Sequence, residues 1–160
     1  MPADVSTSTV ITPEALLAHW QGHRRVTRRV IAAFPPDEFQ SLSLGGMRPF
    51  SALAREMIGM LMPTVTGVIT GEWSQYADAD VKTQEEILAA WDQGTAALDD
   101  AFPKIPLTKF GETVTAFGQW TMPVHDLLLY VIDNEIHHRG QGYVYLRALG
   151  IEPPAFYDRS

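Results

Sequence analysis

Leu127-Leu128-Leu129-Tyr130-Val131-Ile132-Asp133-Asn134-Glu135-Ile136-His137-His138-Arg139-Gly140-Gln141 carries the pattern that decides the fold. Leu128, Val131, Glu135, His138, Gly142, Tyr145 and Leu149 fall at steps of three or four, so on an α-helix they share one face. That face runs apolar, then polar, then apolar. The spacing predicts a helix from Met122 or Pro123 to Leu149, with Gly150 in the C-cap position. Consecutive helical positions diverge by ~100°, so His138 faces the core and His137 a flank, where it could still serve as a general base.

Three further segments upstream read as helices. Thr12 is a natural N-cap, with Pro13 at the first helical position and Glu14 in the first turn; Leu16, Leu17, Trp20, Val26, Val30, Ile31 and Phe34 follow, and Pro35-Pro36 ends the run. Pro36 to Pro49, with Gly45-Gly46 inside, reads as a loop. A second helix begins near Pro49 or Ser51 and stops at Gly71, with a kink or break expected at Pro63, which lacks the N–H that the helical ladder needs. The methionines at 47, 57, 60 and 62 read as adaptable core filler.

Thr83 caps the third helix, with Glu85 and Glu86 where the macrodipole favours carboxylates, and Pro103 closes it. Between Pro103 and Trp120 the pattern is irregular, and Thr113-Val114-Thr115-Ala116-Phe117 reads as a short extended piece. Ile151 to Tyr157 is an extended tail expected to fold back over the bundle. The predicted architecture is all-α, one domain over residues 1–160: a four-helix bundle of up-and-down type, with longer connections after the first and third helices and a C-terminal tail.

With 160 residues, the chain is long enough to bury a core without staples. The absence of cysteine removes disulfides, thiolate metal sites and a thiol nucleophile together. Met1-Pro2-Ala3-Asp4 has neither the basic start nor the apolar core of a signal peptide, and no apolar run approaches the ~20 residues that span a bilayer. A cytoplasmic protein without a membrane partner is the expectation. The formal net charge of -7 argues against nucleic acid, which is held by clustered cations. The basic cluster His23-Arg24-Arg25 with Arg28-Arg29 reads as a solvated face pairing with carboxylates. No Gly-x-Ser-x-Gly, Gly-x-Gly-x-x-Gly or phosphate loop occurs.

Chemistry therefore concentrates on the polar middle of the last helix. His138 lies one turn from Asn134 and three residues from Glu135, so either pair supplies up to two metal ligands. A third ligand must come from another helix, and Glu56, at the edge of the second helix's apolar face, is the best placed carboxylate. The competing reading is a hydrogen-bonded cluster in which Glu56 or Glu135 accepts from His138 or Arg139. Arg139 and Gln141 read as partners for loop carbonyls or the tail. His19 and His23 form an i, i+4 pair expected at the surface. His125 reads as ordinary. Trp73, Trp120, Phe156 and Tyr157 are candidate interface anchors or core residues.

Glu135-Ile136-His137-His138-Arg139-Gly140-Gln141, followed by Tyr145-Leu146-Arg147, Leu149-Gly150 and Pro153-Pro154, resembles the final helix of the DinB/YfiT-like bacterial proteins, named for DNA damage induction. The resemblance implies a four-helix bundle, often dimeric, holding a divalent metal through three histidines, one on the second helix and two on the last. Relatives include thiol-dependent transferases and isomerases that use bacillithiol or mycothiol. Carried over by position, the ligand places fall on Glu56, Asn134 and His138, and His138 alone keeps the imidazole; Glu135 could stand in for Asn134. The implied cofactor is a divalent metal of the Zn, Ni, Fe or Mn class, and a site richer in oxygen shifts the preference toward harder cations or abolishes tight binding. The implied function is a metal-dependent transferase or hydrolase acting on a small molecule such as a low-molecular-weight thiol, with His137 or Arg139 steering the substrate. The alternative is a non-catalytic stress-response or small-ligand-binding bundle that has lost the metal.

Overall fold

Thr12 caps the first helix as its sequence requires, its hydroxyl accepting from the backbone N–H of Ala15 at 3.1 Å. The computed structural model describes residues 9–160; the N-terminal stretch read above for targeting lies outside the described residues. Helix α1 spans Pro13–Ala33, a short α2 spans Pro36–Ser41, α3 spans Phe50–Thr70, α4 spans Gln84–Ala101 and α5 spans Val124–Ala148. Two short 3-10 turns and a hairpin of β1 (Thr113–Ala116) and β2 (Trp120–Pro123) connect α4 to α5. The molecule is mostly helical, a bundle with one small antiparallel ribbon.

Helix ends follow local chemistry. Thr83 and Glu86 form a reciprocal capping box at α4. Gly71 ends α3 in the left-handed region at φ 76°, where a side chain would be strained. Two local expectations change. The segment after Pro36 is not all loop: α2 forms there because Phe39 anchors it, fully buried against Phe34 and Phe50. And α3 runs through Pro63 without a break. By length and composition α3 could also cross a membrane, which the sequence reading had not allowed; in the bundle its buried side chains pack against the other helices.

The molecule is the expected helical bundle, but the order of helix directions departs from the up-and-down arrangement at one step. Leu16 and Trp20 at the start of α1 share an apolar cluster with Val65 and Val68 late in α3, Leu98 late in α4, and Leu127, Leu128, Val131 and Ile132 early in α5. Val30 and Ile31, Leu53 and Met57, Ile87 and Trp91, and Tyr145 and Leu146 form a second cluster at the other end. Helices α1 and α5 therefore point one way, α3 and α4 the other. Because α3 and α4 are parallel, the chain between them must travel the length of the bundle. It does so along α3: Trp73 lies over Gly67, Ala77 over Gly59, and Ala79 N–H donates to Arg55 O at 3.1 Å. A Cβ at Gly67 would lie 2.3 Å from the Trp73 ring, so this close approach demands glycine.

Between the two apolar clusters lies a polar band built from α1, α3, α4 and α5. Gln21, His23, Arg24, Thr27, Glu135, His138 and Arg139 are all buried in it. It is the feature the apolar–polar–apolar stripe of α5 announced, and it positions the site. The tail runs back along α1, with Pro153 buried, Tyr143 Oη donating to Pro154 O at 2.6 Å and Arg25 Nε donating to Arg159 O at 2.7 Å. Phe156 and Tyr157 stay exposed, so they do not cover the bundle as expected.

Candidate functional site

The polar band holds two separate clusters on opposite sides of α5. On the α3 side, Glu56, Asn134 and His138 converge. Glu56 Oε1 lies 2.9 Å from His138 Nε2 and accepts from Asn134 Nδ2 at 3.1 Å. Its other oxygen accepts from Arg48 Nη2 at 2.6 Å. The side chain of His138 is 8% exposed and that of Glu56 17%. Burial pushes the Glu56 carboxyl up, but hydrogen bonds from His138, Arg48 and Asn134 outweigh it and hold the group below the usual carboxylate range. Glu56 is thus an ionised acceptor, not a proton donor.

His138 is engaged at both ring nitrogens. Nδ1 faces Gln141 Oε1 at 3.1 Å, opposite the Nε2 contact to Glu56. The ring is thereby fixed between α3 and the next turn of α5.

On the α1 side, Glu135 points away from this group. It is 3% exposed, accepts from Thr27 Oγ1 at 2.6 Å, and its second oxygen is 3.9 Å from Arg24 Nη1. Arg139 joins it, donating to His23 O at 3.1 Å and Thr27 Oγ1 at 3.3 Å, with Nη2 3.0 Å from His23 Nδ1. The turn of the helix that brings Asn134 and His138 to Glu56 sends Glu135 and Arg139 the other way. Glu135 therefore cannot replace Asn134 as a ligand, and Arg139 binds helix α1 rather than a loop or the tail. His137 is exposed on a third face. His23 and Arg24 are buried, against the reading of their cluster as a solvated face, while Arg28 and Arg29 do pair outward with Asp92 and Asp158.

His23 gives a pH dependence. Its ring is lowered to about 4 from an ordinary 6.5, first by burial, then by the charges of Arg139, Arg159 and the neighbouring His19. A lowered histidine binds fewer protons folded than unfolded, so its contribution is present above 6.5 and is lost as pH falls towards 4. Fully expressed, such a shift is worth about 3 kcal/mol. The Nε2 edge meets exposed His19 at 3.2 Å, and screening there reduces the expected loss to about 1–2 kcal/mol. Urea denaturation at both ends of this window should show that excess loss in the native protein relative to His23→Gln. Equal slopes would overturn it.

A cavity of about 400 Å³ opens beside the α3-side cluster, with Glu56 in its wall. Met60, Leu127 and Val131 form its apolar floor; Tyr76, Phe117, Trp120 and Tyr130 supply aromatic rings; Arg48 and Asp78 stand at its polar side. The hairpin delivers two of the rings. Phe117 has a positive φ of 53° and Gly118 one of 67°, a turn that matches strand twist and costs a bulky residue strain. It places the Phe117 ring 5.1 Å from Trp73 and 6.1 Å from Trp120. The sequence pattern points to Glu56 but not to Arg48, Tyr76, Asp78, Phe117 or Tyr130, and it offers Trp120 as an interface anchor or a core residue rather than as a cavity wall. Phe117-Gly118 between extended segments was the available signal for the hairpin.

The donors have the right spacing for the implied metal but the wrong chemistry. Glu56 Oε1, Asn134 Nδ2 and His138 Nε2 form a triangle of 2.9, 3.1 and 3.3 Å, the size of one face of a coordination shell. The chemistry does not match the size. The amide presents N–H to the carboxylate, the only imidazole is engaged at both nitrogens, and the Arg48 guanidinium sits on the same carboxylate. Turning the amide would bring its oxygen against Glu56. Among the described residues no group of three or more His, Cys, Asp or Glu side chains is placed to hold a metal ion. These residues fit a hydrogen-bonded cluster and not a tight metal site.

A model of the DinB family matches residues 5–160. The fold is similar to a DinB-like protein from Bacillus cereus, at 19% identity and TM-score 0.72, covering 90% of this chain and 97% of that one. A DinB-like protein from Bacillus subtilis gives 18% identity and TM-score 0.74, covering 91% and 99%. A putative DinB family member from Exiguobacterium sibiricum gives 21% identity and TM-score 0.66, covering 89% and 95%. No curated protein matches the sequence.

Proposed function

Because this chain belongs to the DinB family, we propose that it uses the family's bundle as a binding protein for a small molecule, with Glu56, Asn134 and His138 acting as a hydrogen-bonded polar wall rather than as metal ligands. The observation that carries this reading is the position of Glu56. Its carboxylate is satisfied from behind by His138 and Asn134 and from the side by Arg48, and it lines an aromatic cavity of about 400 Å³. Small-molecule sites commonly span ~300–1,000 Å³, mostly apolar with a few fixed polar groups.

The competing reading is the metal-dependent transferase or hydrolase, with a Zn, Ni, Fe or Mn class ion on the same three residues and a thiol among its substrates. Its specific support is the size of the donor triangle. Elemental analysis of untagged protein separates the two. The binding reading expects metal far below one equivalent and an unchanged melting temperature in excess chelator. Near-stoichiometric metal that disappears in His138→Ala would overturn it and favour the enzyme. Cytoplasmic residence and homodimer formation belong to this proposal as expectations; sedimentation at two concentrations checks the second.

A further inference from the structure

We propose that the cavity beside Glu56 selects an organic ammonium ion carried on a small aromatic or aliphatic body, held between the Asp78 carboxylate and the aromatic rings. This rests on the binding reading above and names the ligand class for the same pocket.

The charges lining the cavity are unequal in availability. Arg48 is the lining cation among the described residues, and it is committed through Nη2 to Glu56 Oε2 at 2.6 Å. The Glu56 charge is in turn answered by Arg48, His138 and Asn134. Asp78 is different. It accepts from Tyr76 Oη at 3.1 Å and takes part in no ion pair among the described residues. The uncompensated charge facing the cavity is therefore negative. Tyr76 reports the same field: its phenol is raised above its ordinary value by burial first, then by its hydrogen bond to Asp78 and by the charges of Glu56 and Asp78. An anionic ligand would have to enter against that field without a free cation to meet it.

The ring arrangement suits a cation as well. Tyr76 and Phe117 meet edge to face with centroids 6.5 Å apart, and Phe117 and Trp120 do the same at 6.1 Å. Trp120 and Tyr130 are 48% and 55% exposed although both line the cavity, so large ring surface stands open at its mouth. Aromatic faces attract alkylammonium groups, most strongly where water is excluded. A carboxylate beside such rings gives the charge a direct partner, and the apolar floor of Met60, Leu127 and Val131 takes the ligand's body.

Titration calorimetry on the whole chain with 2-phenylethylamine hydrochloride, 2-phenylethanol and 3-phenylpropionate near neutral pH tests this. The amine should bind about tenfold or more tighter than the alcohol, and the carboxylate weakest. Asp78→Asn, at an exposed position that leaves the core intact, should remove most of the amine's advantage and leave the alcohol unchanged. Carboxylate or alcohol binding as tight as the amine, or an amine preference that survives Asp78→Asn, overturns the ammonium assignment while leaving the binding pocket standing. Failure of all three to bind at millimolar concentration overturns the pocket itself.

Discussion

Glu135→Ala is expected to destabilise the protein by about 3–5 kcal/mol, although position 135 touches no part of the cavity. Glu135 is 3% exposed, with Arg24 and Arg139 beside it at 1% and 5%. Burial raises its carboxyl above the ordinary value, and the two guanidinia and the Thr27 hydroxyl pull the other way. Removing the carboxylate leaves two positive groups inside the bundle with carbonyl and hydroxyl partners but no counter-charge. A buried charge stripped of its partner costs far more than the pair itself contributes, so the double variant Arg24→Met/Glu135→Ala should recover a large part of the loss. Glu135→Gln, which keeps an acceptor for Thr27, should fall between the two. Urea denaturation at neutral pH measures all three. A loss below about 1 kcal/mol in Glu135→Ala would mean that solvent reaches the cluster and that the band is not a dry core layer.

The same band explains what the sequence could reveal. The stripe of α5 was legible because helical periodicity fixes which of its residues share a face, and the run Leu128, Val131, Glu135, His138, Tyr145 registered a core with polar groups in its middle. Periodicity did not separate Asn134 and His138 from Glu135, since one turn of helix holds all three and only the neighbours decide which helix each meets. Glu135 lies between α1 and α5, where Arg24 and Thr27 wait. Those partners sit in what read as a surface cluster, because five basic or histidine side chains within seven residues look solvated when the carboxylate that meets Arg24 lies far along the chain, on α5.

Helix caps at Thr12 and Thr83 were legible for the opposite reason: their physics is local, a hydroxyl and a backbone N–H three residues apart. The direction of α4 was not. It depends on the segment after Gly71 lying along α3, and that segment has no periodicity. What binds it are the Ala77 backbone over Gly59 and the Trp73 ring over Gly67, glycines about two turns apart on α3 whose missing side chains make the groove. The cavity was invisible for the same reason, because α3 and α5 supply only part of its lining and that segment and the hairpin, both irregular in sequence, close it.

Trp91→Ala should cost about 3–5 kcal/mol, the second large effect, because one side chain ties α4 to the band and to the apolar cluster at once. Trp91 is fully buried among Ile31, Phe50, Leu53 and Met57. Its indole Nε1 donates to Arg24 O at 3.1 Å, its own carbonyl accepts from Arg24 Nη2 at 2.9 Å, and the Arg24 guanidinium carbon lies 4.1 Å from the ring centroid. Truncation thus empties a large volume, leaves the Arg24 carbonyl without its indole donor and removes a ring face from a buried cation. Trp91→Phe keeps most of the volume and a ring under Arg24, so it should cost only about 1–2 kcal/mol. Since Arg24 is also the partner of Glu135, the Trp91→Ala and Glu135→Ala losses should not add; the double variant should fall short of their sum by more than about 0.5 kcal/mol. Strict additivity would show that Arg24 does not couple the aromatic cluster to the buried carboxylate, and the band would then be two independent sites rather than one layer.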